Sequence, residues 1–209
     1  MKRTIVFIII SILLFCLVGN NAKGYNKSEE EIVENISSKI IRFHVIANSD
    51  SKEDQELKLK VRDEILKYIS PKLKNSKDIK ESRKILKKHN KEIIDIAKSV
   101  VEKNGYNYKV QSTLSRENFP QKTYGNITLP QGNYEAYRII IGTGYGHNWW
   151  CVMFPPLCFI DESKSKVDEE ATEKEMKMVL DNEEYDCINN SNKHKIKVKF
   201  KIFELLGKK

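Results

Sequence analysis

The sequence predicts an α+β fold: a mixed or antiparallel sheet packed by two long helices, forming a single domain after a signal peptide. Three observations predict it. Short β-branched and aromatic runs punctuate the chain, two stretches carry apolar residues at helical spacing, and the first residues have the pattern of a secretory leader. A length of 209 residues suits one domain with appendages, and 40% hydrophobic content supplies a core, which excludes a disordered chain. The formal charge is +8, but 31 of the 37 basic residues are lysine, interleaved with Asp and Glu. Nucleic-acid readers cluster arginine beside aromatics, so a solvated lysine-rich surface is the better reading, with no nucleic acid as partner.

The amino terminus gives the address. Met1-Lys2-Arg3-Thr4 is basic, and Ile5 to Val18 is apolar apart from Ser11. Fourteen residues match a signal-peptide apolar region and fall short of the ~20 that span a bilayer. Gly19 to Ala22 then read as the cleavage zone, so residues 1–22 are a signal peptide or an N-terminal anchor. Cys16, preceded by Leu14-Phe15, lacks the small residues of a lipoprotein site. Residues 23–38 are polar and helix-prone, and read as a spacer before the fold.

The main domain is expected over 39–161. Ile40–Ala47 reads as a buried strand, and Asp50 and Ser51 as helix-capping residues, with Ser51/Asp54 and Asp50/Glu53 approximating capping boxes. Leu57, Val61, Ile65 and Ile69 follow at four-residue spacing until Ser70-Pro71 ends the helix. A second helix is expected from Ser76 to Lys103 on the repeat Ile79, Leu86, Ile93, Val100, closed by Asn104-Gly105. His89 sits on its apolar stripe and reads as a core histidine. Alternation from Tyr106 to Leu114 predicts a strand. Further strands are expected at Asn126–Leu129 and Glu135–Ile141, joined by a Pro130–Asn133 turn. Residues 162–194 form a charged excursion with one helix near Asp168–Leu180. Residues 195–206 are expected to complete the domain with a lysine-faced strand.

Chemistry-bearing residues concentrate between Gly142 and Asp161. The Gly142, Gly144, Gly146 spacing invites a phosphate loop, but His147 stands where the fingerprint's third glycine would fall, and Pro155-Pro156 denies the following helix. Cys151 with His147 or His44 has the residue types of a Cys–His hydrolase, and His44, His147, Cys151 and Cys158 those of a zinc site without a short anchoring pair. Neither is preferred, and no cofactor or metal is expected. Cys151 and Cys158, across Pro155-Pro156, are either a disulfide in an exported protein or two buried thiols. Cys187 lies apart in a polar stretch.

Three blocks carry a family resemblance: I-R-F-H-V-I-A-N-S-D-S-K-E-D-Q-E-L-K-L-K-V-R-D (Ile41 to Asp63), K-T-Y-G-N-I-T-L-P-Q-G-N-Y-E-A-Y-R (Lys122 to Arg138) and G-H-N-W-W-C-V-M-F-P-P-L-C-F (Gly146 to Phe159). Together they resemble the stage II sporulation protein R family. The resemblance implies a non-enzymatic signal, secreted across the forespore membrane into the space between forespore and mother cell and near a membrane. Its implied partner is a membrane-embedded sporulation aspartic protease that processes pro-sigma-E. No catalytic residue transfers. An exported hydrolase on Cys151/His147 and a cell-wall-binding module are the alternatives.

Ten of the thirteen residues from Asn148 to Ile160 are Trp, Cys, Val, Met, Phe, Leu or Ile, so this run must be core, membrane-inserted or interface. Adjacent Trp149 and Trp150 face opposite sides of any strand. One of them is therefore expected toward the surface, where Trp often anchors binding, unless a second layer covers both. The candidate receptor interface is Tyr145, His147, Asn148, Trp149, Trp150 and Phe154.

Overall fold

The computed structural model describes residues 28–159 and 169–190. The leader 1–22, the first part of the spacer and the strand expected at 195–206 lie outside the described residues. The chain divides after Ile32. Of the first unit, residues 28–32 make the opening turn of helix α1 (Glu29–Lys39), where Ser28 Oγ accepts from Glu31 N.

The second unit holds the fold, an α+β domain with a mixed sheet. Strand β1 (Ile41–Ile46) leads through a turn into α2 (Lys52–Leu73), followed by α3 (Ile79–Lys88) and α4 (Asn90–Lys103). Strands β2 (Val110–Phe119), β3 (Lys122–Tyr124), β4 (Ile127–Leu129), β5 (Gly132–Ile141) and β6 (Asn148–Phe154) come next. A 3-10 turn (Leu157–Phe159) and helices α5 (Glu169–Val179) and α6 (Asn182–Ile188) complete the described chain. The main sheet runs β2-β5-β1-β6. Its central pair β1 and β5 is parallel, and both outer pairings are antiparallel.

Alternation along β1 divides its side chains between two buried faces. Ile41, Phe43 and Val45 meet Leu57, Val61, Ile65 and Ile69 of α2 and Ile93 and Ala97 of α4 in the principal core. Arg42 and His44 face the other way. There the β3–β4 hairpin touches the sheet: Tyr124 hydroxyl accepts from Arg42 Nη2 at 3.1 Å, and Lys122 Nζ lies 5.6 Å from the Trp150 ring centre. Covering on both faces explains why all six β1 residues are buried.

Several expectations are corrected. Pro71 does not end α2, which runs to Leu73. In the last turn the missing proline N–H forfeits one hydrogen bond, and burial of Leu73 offsets this by about 1.5–3 kcal/mol. The single helix expected from Ser76 to Lys103 is two. It breaks at His89 (φ −97°, ψ 12°), so three helices rather than two pack the sheet. A strict seven-residue stripe drifts about 20° per repeat on a straight helix, and the break resets it. Side chains fix the place: Tyr68 hydroxyl meets His89 Nδ1 at 2.9 Å, and Asn90 Oδ1 accepts from Ser112 Oγ at 2.6 Å and Tyr137 hydroxyl at 2.7 Å. His89 is thus half-buried at a junction, not a core histidine.

The strand expected from Tyr106 starts at Val110 and continues to Phe119. The Pro130–Asn133 segment does join the two expected strands, with Gly132 and Asn133 already in β5, but β4 pairs with β3 while β5 enters the main sheet. Residues 33–38, read as spacer, are helical, and Ile36 is fully buried. Helix α6, which had no apolar period long enough to signal it, is started by a capping box between Asp181 and Glu184. Glu184 also receives Lys39 Nζ at 2.6 Å.

Candidate functional site

Parallel β1 and β5 deliver their C-terminal ends to the same edge of the sheet, and the loops that follow them lock together there. Gly142 (φ +60°) and Gly144 (φ +68°) turn the chain out of β5, and a Cβ at Gly142 would collide with the Asn48 side chain. Asn48 is the hub. Its Oδ1 accepts from Thr143 N at 3.0 Å, its carbonyl from Thr143 Oγ1 at 2.7 Å, and its Nδ2 donates to Asp54 Oδ2 at 2.8 Å. Gly146 N donates to Ala47 O at 3.0 Å, close enough that a Cβ at Gly146 would strike the Ser49 backbone.

The acids of this turn divide their work. Ser51 caps α2 by accepting from Asp54 N at 3.2 Å. Asp54 does not return the bond of a capping box; it is buried and also takes Ser49 Oγ at 2.6 Å. Burial pushes the Asp54 carboxyl up, yet hydrogen bonds from Ser49, Asn48 and Tyr108 outweigh it and leave the group below its ordinary range. Asp50, expected as a cap, is not one. Its Oδ1 accepts from His147 N at 2.6 Å and His147 Nδ1 at 2.5 Å, and these bonds, backbone first, hold its carboxyl down. Lys58, 6% exposed, reaches from α2 to His147 O at 2.9 Å.

Above this base stand Tyr145, 88% exposed, and His147, whose side chain is 82% exposed. The structure brings Asp50, Tyr145 and His147 to one tip and Asn148 to its margin. It does not put the tryptophans there. Trp149 turns to the helical face, edge-on to Phe43 at 5.9 Å and beneath the Arg62 guanidinium at 4.8 Å. Trp150 stacks on His44 at 4.8 Å and packs against Phe119 at 4.9 Å on the opposite face. Opposite orientation holds, but both rings are half-buried by the domain's own residues. Phe154 is 4% exposed within the core and leaves the candidate surface.

A Cys–His hydrolase site is not assembled. Cys151 is paired with Cys158, with Cα atoms 5.7 Å apart. It lies across from Phe43, whereas His44 lies across from Trp150, so His44 and Cys151 sit on opposite faces. His147 precedes Cys151 by four extended residues, about 13 Å. The four proposed zinc ligands are dispersed by the same geometry. Burial, with Arg138 and Arg42 adding, pushes His44 down to about 3, so its ring is neutral at physiological pH.

The family model for stage II sporulation protein R matches residues 37–164. The chain belongs to the stage II sporulation protein R family. It is similar to the stage II sporulation protein R of Bacillus subtilis (strain 168), 41% identical over 189 residues that cover 87% of this chain and 84% of that one. No solved structure matches it. The family match spans the whole main sheet and the β1/β5 tip, and its role is in sporulation. Sequence reasoning did not place Asn48 or Lys58 at this tip. Asn at a strand end is a turn signal that pointed to Asn48, but nothing in the sequence marks which helix lysine bends inward.

Proposed function

We propose that the chain is an exported sporulation signal that activates a membrane-embedded aspartic protease. That protease processes pro-sigma-E in the mother cell, and the β1/β5 tip presents Tyr145 and His147 to it. The secretory leader read from residues 1–22 supports delivery into the space between forespore and mother cell. One observation carries the surface assignment. Two long side chains stand in solvent on loops cross-braced by Asn48, Asp50 and Lys58, an arrangement that costs little ordering on binding.

The test co-expresses the full chain with the candidate protease and pro-sigma factor and scores processing by blot. Tyr145→Ala and His147→Ala are expected to remain folded and exported and to lose processing by tenfold or more, on the scale of ~1.4 kcal/mol per tenfold. Full processing by both variants would overturn the tip as the contact. Loss of processing with Cys151→Ser alone, in folded protein, would favour the hydrolase reading instead.

A further inference from the structure

Helix α3 carries four lysines that the fold does not use. Lys80, Lys84, Lys87 and Lys88 fall within about 100° of one another around the helix, at 3.6 residues per turn, and all four are exposed. The opposite side carries Ser82 and Leu86, both fully buried. None of the four lysines meets an acid among the described residues, whereas Arg83 on the flank is held bidentately by Glu135 at 2.7 and 2.6 Å. Exposed Lys77 precedes the row and exposed Lys91 follows it. The two acids of the helix start are already engaged: Asp78 caps the helix, and Glu81 accepts from Lys77 N. The outcome is a lysine-rich face with the Glu81 carboxylate at one edge.

We propose that this α3 face docks on a bilayer surface bearing anionic phospholipid headgroups. A protein partner is the poorer fit, because protein interfaces are depleted in lysine and draw their energy from aromatic and arginine anchors. No large hydrophobic residue is exposed on α3. The face therefore adsorbs by charge without inserting, in the manner of polybasic segments at anionic membranes. The apolar run Ile5–Val18, read as a signal peptide or anchor, takes the chain to a bilayer on that reading, which favours lipid over wall polymer as the source of the phosphates. The proposal does not depend on the protease reading and is tested without the protease.

The experiment measures partitioning of the full chain onto phosphatidylcholine vesicles with and without roughly 30% phosphatidylglycerol, by sedimentation, at low and high salt. The ratio of the two partition coefficients cancels any contribution of the N-terminal apolar run. Each charge removed is expected to lower that ratio about fivefold, so K80Q/K84Q/K87Q/K88Q falls by roughly several hundredfold. A control removing four exposed lysines elsewhere, K60Q/K67Q/K98Q/K103Q, matches the charge change, and circular dichroism checks both folds. Equal losses in the two variants would overturn the α3 face in favour of net charge alone. Equal binding to neutral and anionic vesicles, or capture by wall polymer but not by anionic vesicles, would overturn the lipid assignment.

Discussion

Asp50 Oδ1 accepts two hydrogen bonds from His147, a residue 97 positions away: one from the backbone N at 2.6 Å, one from ring Nδ1 at 2.5 Å. The second bond places the proton on Nδ1 and leaves Nε2 facing solvent at the tip. Asp50→Asn is expected to unpin the ring while leaving the melting temperature nearly unchanged, since both side chains are exposed. Nitrogen-detected NMR of the imidazole should show one tautomer in the native chain and a mixture in the variant. An unchanged tautomer would remove the positioning role of Asp50.

The same turn sets the acid limit of stability. Asp50 and Asp54 both titrate below their ordinary values in the folded chain. The contribution of buried Asp54 is therefore present above the unfolded carboxylate value near ~4 and is lost as pH falls through its lower folded value, while exposed Asp50 adds little. Asp54→Asn is expected to cost about 1–3 kcal/mol at neutral pH, because Asn48 and Ser49 lose a buried acceptor. It should also flatten the loss of stability below pH ~4. Denaturant melts of both proteins at several pH values measure the difference, and parallel pH curves would contradict it.

Gly142 and Gly105 separate backbone strain from collision. Both have positive φ, but a Cβ at Gly105 meets nothing within 4 Å, while one at Gly142 runs into Asn48. Gly105→Ala is expected to cost about 1 kcal/mol and Gly142→Ala clearly more, because the Asn48 hub must also move. Equal costs by chemical denaturation would show that Asn48 yields freely.

How much of this was legible depended on the range of the signal. β1 announces itself through β-branched and aromatic composition, α2 through four-residue spacing, and Ser51 through turn chemistry. The break at His89 does not, because Tyr68, Ser112 and Tyr137, which fix it, come from other elements. The site divided likewise. His147 and Tyr145 stood in the candidate interface beside the Gly142–Gly146 loop, but the Asp50 bond required parallel β1 and β5 to bring two loops together. Trp149 and Trp150 drew notice by composition, yet Arg62, His44 and Phe119, far away in sequence, cover them.

The tryptophans are accordingly expected to behave as structural residues. Trp150→Ala removes a ring packed on His44 and Phe119 and should cost about 3 kcal/mol, at the low end for Trp because the site is half-buried. A Trp150→Ala protein with native stability and no sigma-factor processing would return this residue to the contact surface.

Cys151 and Cys158 join the middle of β6 to the turn beyond Pro155-Pro156. Closing so short a loop is worth about 2 kcal/mol on the chain-entropy view, below the ~3 of a 15-residue loop. Cys151→Ser and Cys158→Ser should each lower stability by about that amount, and the double variant by no more than either. Exported protein alkylated without reductant should carry no label at either position. Two labelled thiols there would exclude the bond.

Arg42 poses the opposite question, of what a buried charge contributes. It is fully buried on β1, its Nε and Nη1 meet no hydrogen-bond partner among the described residues, and burial lowers its pKa against the opposing influence of Tyr124 and Tyr134. Three rings surround the guanidinium, Phe119 at 4.6 Å, Tyr134 at 4.9 Å and Tyr124 at 5.6 Å. At about 2 kcal/mol for a desolvated cation–π contact, they return much of a desolvation cost of several kcal/mol, leaving the charge near break-even. The stem, by contrast, fills core volume. Arg42→Met keeps that volume and sheds the charge, so it is expected within about 1 kcal/mol of the native chain or above it. Arg42→Ala leaves a cavity under three rings and should lose about 3 kcal/mol or more. Urea melts of the two variants decide the matter. If Met proves as damaging as Ala, the guanidinium stabilises through its rings and the Tyr124 hydroxyl rather than through the space it occupies.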